Sequence, residues 1–238
     1  MDISEEEMLA ELRAISNKSS SSRFDTFEKK VVKTTADNGT TTSKNGIEFL
    51  KGNPEDPALN QYWYSQGTVE ALANECDRII GERGSDFKVA FLSTPSIYFA
   101  LDEKKRASSY VFDYDRKWDD DRGFVFYDFN KPEEFEVEGL KGTFDMVVID
   151  PPFITREVWE KYTESAMWLL KEKPGWGKGG GMVIGTTLQE NAGFLDELLG
   201  CKPQAFKPSI PNLPYQYNSY ANFDGAVYLG VANPEISE

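Results

Sequence analysis

The chain has 238 residues and carries 40 acidic against 26 basic side chains, a formal net charge of −14. This length fits one domain with a large core. The acidity opposes binding to a phosphate backbone and suits either a basic protein partner or solubility alone. The complete lack of histidine excludes histidine-based acid–base catalysis and histidine metal sites. The two cysteines, Cys76 and Cys201, are too few for a disulfide framework or a zinc cluster and are typical of a reducing compartment.

No apolar run approaches the roughly 18 residues that are needed to cross a bilayer. The N-terminus is acidic and lacks the basic start of a signal peptide. We therefore expect a cytoplasmic protein that does not enter a membrane.

The N-terminal part is predicted to differ from the rest of the chain. Residues Ser4 to Ser16 are typical of an amphipathic helix that begins with a capping box, and this helix either docks on a partner or packs on its own domain. Stretches rich in Ser, Thr, Gly and Asn at 18–23 and 36–46 predict flexible linkers. The expected organisation is a helix with linkers over 1–56 and a catalytic domain over 57–238.

From residue 57 onward, predicted strands and helices alternate, as in a doubly wound sheet. Strands are predicted at 87–93, 109–114, 124–127, 144–149 and 181–187, and helices at 68–81, 95–104, 155–171 and 188–199. Two last apolar segments, 204–210 and 218–231, have no helix between them, which predicts a hairpin that places an antiparallel strand at the sheet edge. The predicted fold class is therefore α/β, a Rossmann-like sheet of seven mostly parallel strands with an antiparallel C-terminal hairpin.

The glycines at 174–180 precede a predicted strand, whereas a phosphate-binding loop follows a strand and precedes a helix. This segment is expected to be a mobile connection.

The strand at 144–149 ends in the tetrapeptide Asp150-Pro151-Pro152-Phe153. The two prolines stop the strand and stiffen its exit, so Asp150 is held at the carboxyl edge, where open α/β sheets bind ligands. Methylation of an amine requires an oriented lone pair, an acceptor for the amine hydrogens and an apolar surface that excludes water from the reacting methyl group. Asp150, the carbonyl of Pro151 and the ring of Phe153 can supply these. The tetrapeptide predicts an amine-methylating site; the alternative is a rigid exit from the strand and nothing more.

Polar residues also follow the other strands at this edge. Asp113 and Asp115 close the second strand, where a carboxylate can bind both hydroxyls of a ribose. Asp128 and Phe129 follow the third strand, within reach of an adenine amino group, and the first strand ends in Ser93-Thr94-Pro95-Ser96, where a helix N-terminus can hold a polar tail. One such acid is usually a turn former or a cap. Four suitable strand ends in this order predict a nucleoside cofactor site with S-adenosylmethionine as its best occupant, although the usual Gly-x-Gly turn is missing.

Together these motifs resemble the elongation factor 1-alpha lysine methyltransferases, seven-strand S-adenosylmethionine enzymes formerly described as N6-adenine DNA methyltransferases. The resemblance covers about residues 59–223. It rests on five segments: Gln61-Tyr62-Trp63-Tyr64-Ser65-Gln66, Ser93-Thr94-Pro95-Ser96-Ile97-Tyr98, Phe112-Asp113-Tyr114-Asp115-Arg116, Phe126-Tyr127-Asp128-Phe129-Asn130 and Asp150-Pro151-Pro152-Phe153. The missing glycine turn is a trait of that family, so it supports the resemblance.

The resemblance implies a role for each segment. Asp113 is expected to bind the cofactor ribose, Asp128 its adenine and residues 93–96 its methionine part. Residues 64–66 are expected over the cofactor near the target entrance, and residues 150–153 are expected to hold the acceptor amine.

The implied activity is S-adenosylmethionine-dependent methylation of a lysine of elongation factor 1-alpha, without a metal. A free lysine has a pKa of about 10.4, so desolvation by Phe153, Tyr64 and Trp63 has to lower it, while Asp150 attracts and aligns the amine. Packing of Trp63 and Tyr64 on the core is the alternative to this role.

Two other functions remain open. Adenine N6 methylation of DNA or RNA would stack the base on Phe153; the acidic chain disfavours it, and a basic face around Asp150 would favour it. A noncatalytic binding module would keep the fold alone, which the intact acids at Asp113, Asp128 and Asp150 disfavour.

Overall fold

The computed structural model describes residues 41–172 and 181–236. From Thr41 onward the chain forms one compact unit. The predicted N-terminal helix, the predicted linker at 18–23 and the glycine-rich loop at 174–180 lie outside the described residues.

The described residues form a mixed sheet flanked by helices. The helices are α1 (Thr41–Gly52), α2 (Gln66–Arg83), α3 (Pro95–Ala100), α4 (Glu103–Arg106), α5 (Arg156–Leu169) and α6 (Ala192–Leu199). The strands are β1 (Val89–Leu92), β2 (Ser109–Asp113), β3 (Phe124–Phe126), β4 (Met146–Ile149), β5 (Met182–Leu188), β6 (Lys202–Pro203) and β7 (Tyr217–Ala221). Short 3-10 turns occupy Pro57–Leu59, Arg116–Trp118 and Gln189–Asn191.

The strand order is β3-β2-β1-β4-β5-β7-β6. Strands β1 to β5 are parallel to one another, whereas β7 is antiparallel to β5 and to β6. The predicted class, a mostly parallel α/β sheet with an antiparallel C-terminal pair, is confirmed.

The details of the C-terminal pair differ from the prediction. The outer strand is Lys202–Pro203, ahead of the predicted segment 204–210, and β7 lies inside the sheet between β5 and β6. The predicted strand at 204–210 is wrong, because this segment is apolar for another reason. Phe206 and Ile210 are buried in the core without forming a strand.

The sheet is buried on both faces, as its continuous apolar strands require. Val89 and Phe91 of β1 belong to the core that contains α2 and α3, while Ala90 and Leu92 belong to the core that contains α5 and α6. Cys76 is fully buried in the first of these cores. Among the helices of the described ranges, none combines the length and the apolarity that a membrane span needs.

The predicted linker at 36–46 is wrong from Thr41 onward, where the chain is helical. Phe49 of this helix is only 5 % exposed. Its ring contacts three other aromatic rings, those of Trp63, Phe99 and Trp118. This burial outweighs the weak helix propensity of the Thr, Asn and Gly residues. Residues 41–56 are therefore part of the compact unit, although the domain was expected to begin at 57.

The predicted helix at 95–104 is divided into α3 and α4. Leu101 leaves the helical conformation, with a ψ of 152°, and the side chain of Asp102 accepts a hydrogen bond from the Lys104 N–H to begin α4.

Candidate active site

The structure brings the predicted strand-end residues to one edge of the sheet. Leu92 is in register with Phe112 of β2 and with Ile149 of β4. The residues that follow these three, Ser93, Asp113 and Asp150, therefore lie side by side. Asp128 follows two residues after Phe126, the partner of Asp113 in β3.

Ser93 takes the place of the missing glycine in the turn after β1. Its φ is +55°, a left-handed conformation that usually requires glycine. Its N–H donates to the carbonyl of Phe112 at 2.8 Å, and its hydroxyl lies 2.6 Å from the hydroxyl of Tyr162 on α5. These two hydrogen bonds hold a serine in a turn that other sheets make with glycine.

Thr94 carries an unsatisfied polar group at this turn. Its side chain is 2 % exposed, and its hydroxyl has no hydrogen-bond partner among the described residues and does not cap α3. Pro95 begins the helix, and Ser96 is buried behind it. Helix α3 has only six residues, so its dipole contributes little. The buried hydroxyl of Thr94 is the better indication of a polar ligand, because native proteins rarely leave such a group unpaired.

Asp113 and Asp115 occupy different environments at the end of β2. Burial raises the pKa of Asp113 to about 7, and the Asp115 carboxylate acts in the same direction. Burial acts likewise on Asp115, but hydrogen bonds from Lys117 and Gln61 outweigh it and lower the pKa. Asp115 is thus an ion-pair partner, with Lys117 Nζ at 2.8 Å and Gln61 Nε2 at 3.0 Å. Asp113 is the buried acid of the pair.

Aromatic rings form a wall beside Asp150. The ring of Phe129 stacks on Tyr162 with centroids 6.0 Å apart and contacts the edge of Phe153 at 6.2 Å. Asp128, just before this wall, accepts the N–H of Asn130 at 2.9 Å and so stabilises its own turn. The wall is suited to exclude water from the strand edge.

The carboxyl of Asp150 is bound by a tyrosine. The hydroxyl of Tyr64 donates to Asp150 Oδ2 at 2.5 Å and lies 2.6 Å from the hydroxyl of Thr186 at the end of β5. Although Asp150 is partly exposed as a residue, burial raises its pKa to about 7, against the hydroxyls of Tyr64 and Thr186, which lower it. Burial beside Asp150 also raises the pKa of Tyr64. At neutral pH this tyrosine is a neutral donor, and the carboxyl is close to its titration point.

Residues 60–65 cross the edge of the sheet as a strap, and three of their side chains bind the predicted site residues. Asn60 donates to the carbonyl of Pro152, Gln61 donates to Asp115, and Tyr64 donates to Asp150. The strap therefore connects the end of β2 with the end of β4.

The remaining members of the predicted segment have local partners. Trp63 donates from Nε1 to the carbonyl of Asn53 at 2.9 Å, so its contacts agree with the packing alternative. Ser65 is the N-cap of α2 and accepts the Thr68 N–H, and Gln66 donates to Glu70 on the same helix at 2.8 Å. A cofactor role for Ser65 stays a prediction.

Two polar residues of the site were not predicted from the sequence. Tyr162 lies in the helix predicted at 155–171 and Thr186 in the strand predicted at 181–187, and neither was singled out as a site residue. A pair of threonines at the end of a buried strand, beside the strand that ends in Asp150, is the signal that could have identified Thr186.

A sheet of this order, with one reversed strand between β5 and β6 and with acids at the ends of β2 and β4, defines the Rossmann-like fold of S-adenosylmethionine-dependent methyltransferases. Among solved structures, the chain is similar in fold to the branched-chain polyamine synthase from Thermus thermophilus, in complex with N4-aminopropylspermidine and 5'-methylthioadenosine. The TM-score is 0.52 at 13% identity, and the match covers 76% of this chain and 62% of that one.

A family model described as probable N6-adenine methyltransferase matches residues 55–225. EEF1A lysine methyltransferase 1 from Homo sapiens is 33% identical over 181 residues, 74% of this chain and 79% of the relative. Protein-lysine N-methyltransferase EFM5 from Saccharomyces cerevisiae is 30% identical over 214 residues, 83% of each chain. The chain belongs to the family that this model describes, of which these protein-lysine methyltransferases are relatives.

Proposed function

We propose that this enzyme transfers a methyl group from S-adenosylmethionine to a lysine of elongation factor 1-alpha. The observation that carries the proposal is the Tyr64–Asp150 pair, placed directly before Pro151, Pro152 and the ring of Phe153. The names of the relatives support a protein-lysine substrate. Because elongation factor 1-alpha acts in translation, the proposal places the enzyme in the cytoplasm.

The strand ends fit S-adenosylmethionine. The buried carboxyl of Asp113 can accept from the ribose hydroxyls, Asp128 lies two residues beyond β3 on the adenine side, and the unpartnered hydroxyl of Thr94 offers a hydrogen bond to the polar methionine part. S-adenosylmethionine supplies a methyl group on a positively charged sulfur. We assign Ser93, Thr94, Pro95, Ser96, Asp113, Asp115, Asp128, Phe129, Tyr64 and Ser65 to the surface that holds it.

Asp150 and its neighbours prepare the amine. The side chain of a lysine arrives as an ammonium, because its pKa is about 10.4 in water. A carboxylate at Asp150 binds this ammonium and directs its hydrogens, and the rings of Phe153 and Phe129 reduce its hydration, which favours the neutral form. Since the pKa of Asp150 is about 7, this carboxyl can also accept a proton near neutral pH.

Adenine in DNA or RNA is the competing substrate class, and the charges around the edge disfavour it. The basic residues that flank the site are each paired with carboxylates: Lys117 with Asp115, Lys161 with Glu157, and Arg156 with Glu160 and Glu197. Paired cations have little charge left for phosphates. The net charge of −14 acts in the same direction.

The test is transfer of labelled methyl from S-adenosylmethionine to purified elongation factor 1-alpha, beside unmethylated DNA and RNA, with mass spectrometry to locate the mark. We expect label on a lysine. Asp150→Ala should lower turnover at least about 100-fold and leave cofactor affinity nearly unchanged, while Asp120→Ala, at an exposed acid, should behave as the wild type. Label on nucleic acid alone would overturn the proposal, and loss of cofactor binding in Asp150→Ala would overturn the role given to that residue.

A further inference from the structure

Thr186 is a buried hydroxyl beside the carboxyl of Asp150, and neither the sequence motifs nor the family resemblance points to it. Ile149 of β4 is in register with Gly185 of β5, so Asp150, directly after β4, lies next to Thr186 of β5. The side chain of Thr186 is 2 % exposed. Its hydroxyl lies 2.6 Å from the hydroxyl of Tyr64.

The number of protons in this group of three side chains fixes the direction of its hydrogen bonds. An ionised Asp150 can only accept, and Tyr64 and Thr186 each have a single hydroxyl proton. When the hydroxyl of Tyr64 donates its hydrogen bond to Asp150, its oxygen is left to accept, and the hydroxyl of Thr186 lies at hydrogen-bonding distance to donate to it. The hydroxyl of Thr186 therefore favours the state in which Tyr64 donates to the carboxylate, and hydrogen bonds in such a chain strengthen one another.

We infer that Thr186 is a positioning residue of the methyl-transfer site, which acts through Tyr64 to hold Asp150 ionised and oriented toward the acceptor amine. The inference rests on the proposed function. Thr186 does not touch the amine in this scheme; it determines where the Tyr64 proton lies.

The pKa of Asp150 shifts in the direction that this arrangement requires. Burial raises it to about 7, and the hydroxyls of Tyr64 and Thr186 both lower it. Without the hydroxyl of Thr186 the carboxyl would remain protonated to a higher pH, and it would then hold an ammonium less well at neutral pH.

The neighbouring residue is a matched control. Thr187 is also fully buried, but its hydroxyl accepts from Asn191 Nδ2 at 2.8 Å. Replacing either threonine with valine removes one buried hydroxyl and keeps the shape of the side chain. Only Thr186 is linked to Asp150 through Tyr64.

The first measurement is the pH titration of the Asp150 carboxyl by NMR on protein with 13C-labelled aspartate, assigned with Asp150→Asn. Thr186→Val should raise the midpoint by about one pH unit, Thr186→Ser should restore the wild-type value, and Thr187→Val should leave it unchanged. Adding Thr186→Val to Tyr64→Phe should shift the midpoint less than it does alone, because the link is already broken. Should Thr186→Val not fold, Thr186→Ala with rescue by Thr186→Ser makes the same comparison.

The second measurement is the pH profile of methyl transfer by the same variants, where the acidic limb should move to higher pH in Thr186→Val alone. A titration midpoint in Thr186→Val equal to that of the wild type overturns the inference even if the wild type methylates its substrate. A wild type that binds S-adenosylmethionine but methylates no protein overturns the proposed function instead, whatever the titration shows.

Discussion

The hydroxyl of Tyr64 lies 2.5 Å from Oδ2 of Asp150 and joins the strap before α2 to the end of β4. This hydrogen bond makes Tyr64 part of the proposed acceptor site, in addition to the place over the cofactor that its motif predicts. The ring is 3 % exposed, so the contact is enclosed by the core and is not a surface pair.

Tyr64→Phe should keep the packing of the ring and lose the donor to Asp150. The pKa of Asp150 should then rise above about 7, because the hydroxyl that donates to the carboxylate is gone. We expect methyl transfer at pH 7 to fall about tenfold and to recover partly at pH 8.5, measured as initial rates at saturating cofactor. Tyr62→Phe is the control, since Tyr62 is only partly buried. Equal rates for Tyr64→Phe and the wild type across this pH range would contradict the assignment.

Asp113 should make the stability of the protein depend on pH. Its folded pKa of about 7 lies above the ordinary value of 3.8, so the folded state binds more protons than the unfolded state between these values. The stability that the protonated form contributes is complete below about pH 4 and is lost as pH rises through about 7. Asp113→Asn should remove this loss and raise the free energy of unfolding at pH 8 by about 2 kcal/mol.

Urea unfolding of the wild type and Asp113→Asn at pH 4.5 and pH 8 measures this difference. The difference in the free energy of unfolding between the two proteins should increase with pH. Asp119→Asn, at an exposed acid, should show no such difference from the wild type. A gap that is constant with pH would show that Asp113 titrates at its ordinary value. The same substitution should weaken cofactor binding at pH 8, because the charged acceptor for the ribose is lost.

The fold could be predicted from the sequence because its signals are local. Each buried strand is a short apolar run. Asp113 ends β2, Asp150 directly follows β4 and Asp128 lies two residues beyond β3, so the parallel arrangement alone brings them to one edge. The contacts of Tyr64 and Thr186 could not be predicted, because these residues are 122 positions apart and nothing in either segment specifies the other.

Helix α1 also could not be predicted from its local sequence. Its sequence is rich in Thr, Asn and Gly and is typical of a linker, but the helix packs on the core, where Phe49 is its buried aromatic residue. Phe49→Ala should therefore lower the free energy of unfolding by about 3 to 4 kcal/mol. Lys51→Ala, at an exposed position of α1, should change it by less than about 0.5 kcal/mol. Thermal or urea unfolding of both variants is sufficient, and a small effect of Phe49→Ala would place residues 41–56 outside the cooperative unit.

Ser93 allows a sharper test of the turn that replaces the glycine motif. Its φ of +55° costs a residue with a side chain about 1 to 2 kcal/mol relative to glycine. Ser93→Ala keeps that cost and loses the hydrogen bond to Tyr162, whereas Ser93→Gly loses the hydrogen bond but relieves the cost.

The glycine variant should therefore be the more stable of the two by about 1 kcal/mol, measured by urea unfolding. At Ser85, an exposed turn residue without a positive φ, the order should be the ordinary one, with alanine at least as stable as glycine. Because the Tyr162 hydrogen bond is lost in both Ser93 variants, it cancels from the comparison, and the remaining difference reports the backbone alone. If alanine were at least as stable as glycine at both positions, Ser93 would not be left-handed in solution. The absence of glycine from the turn would then need another explanation.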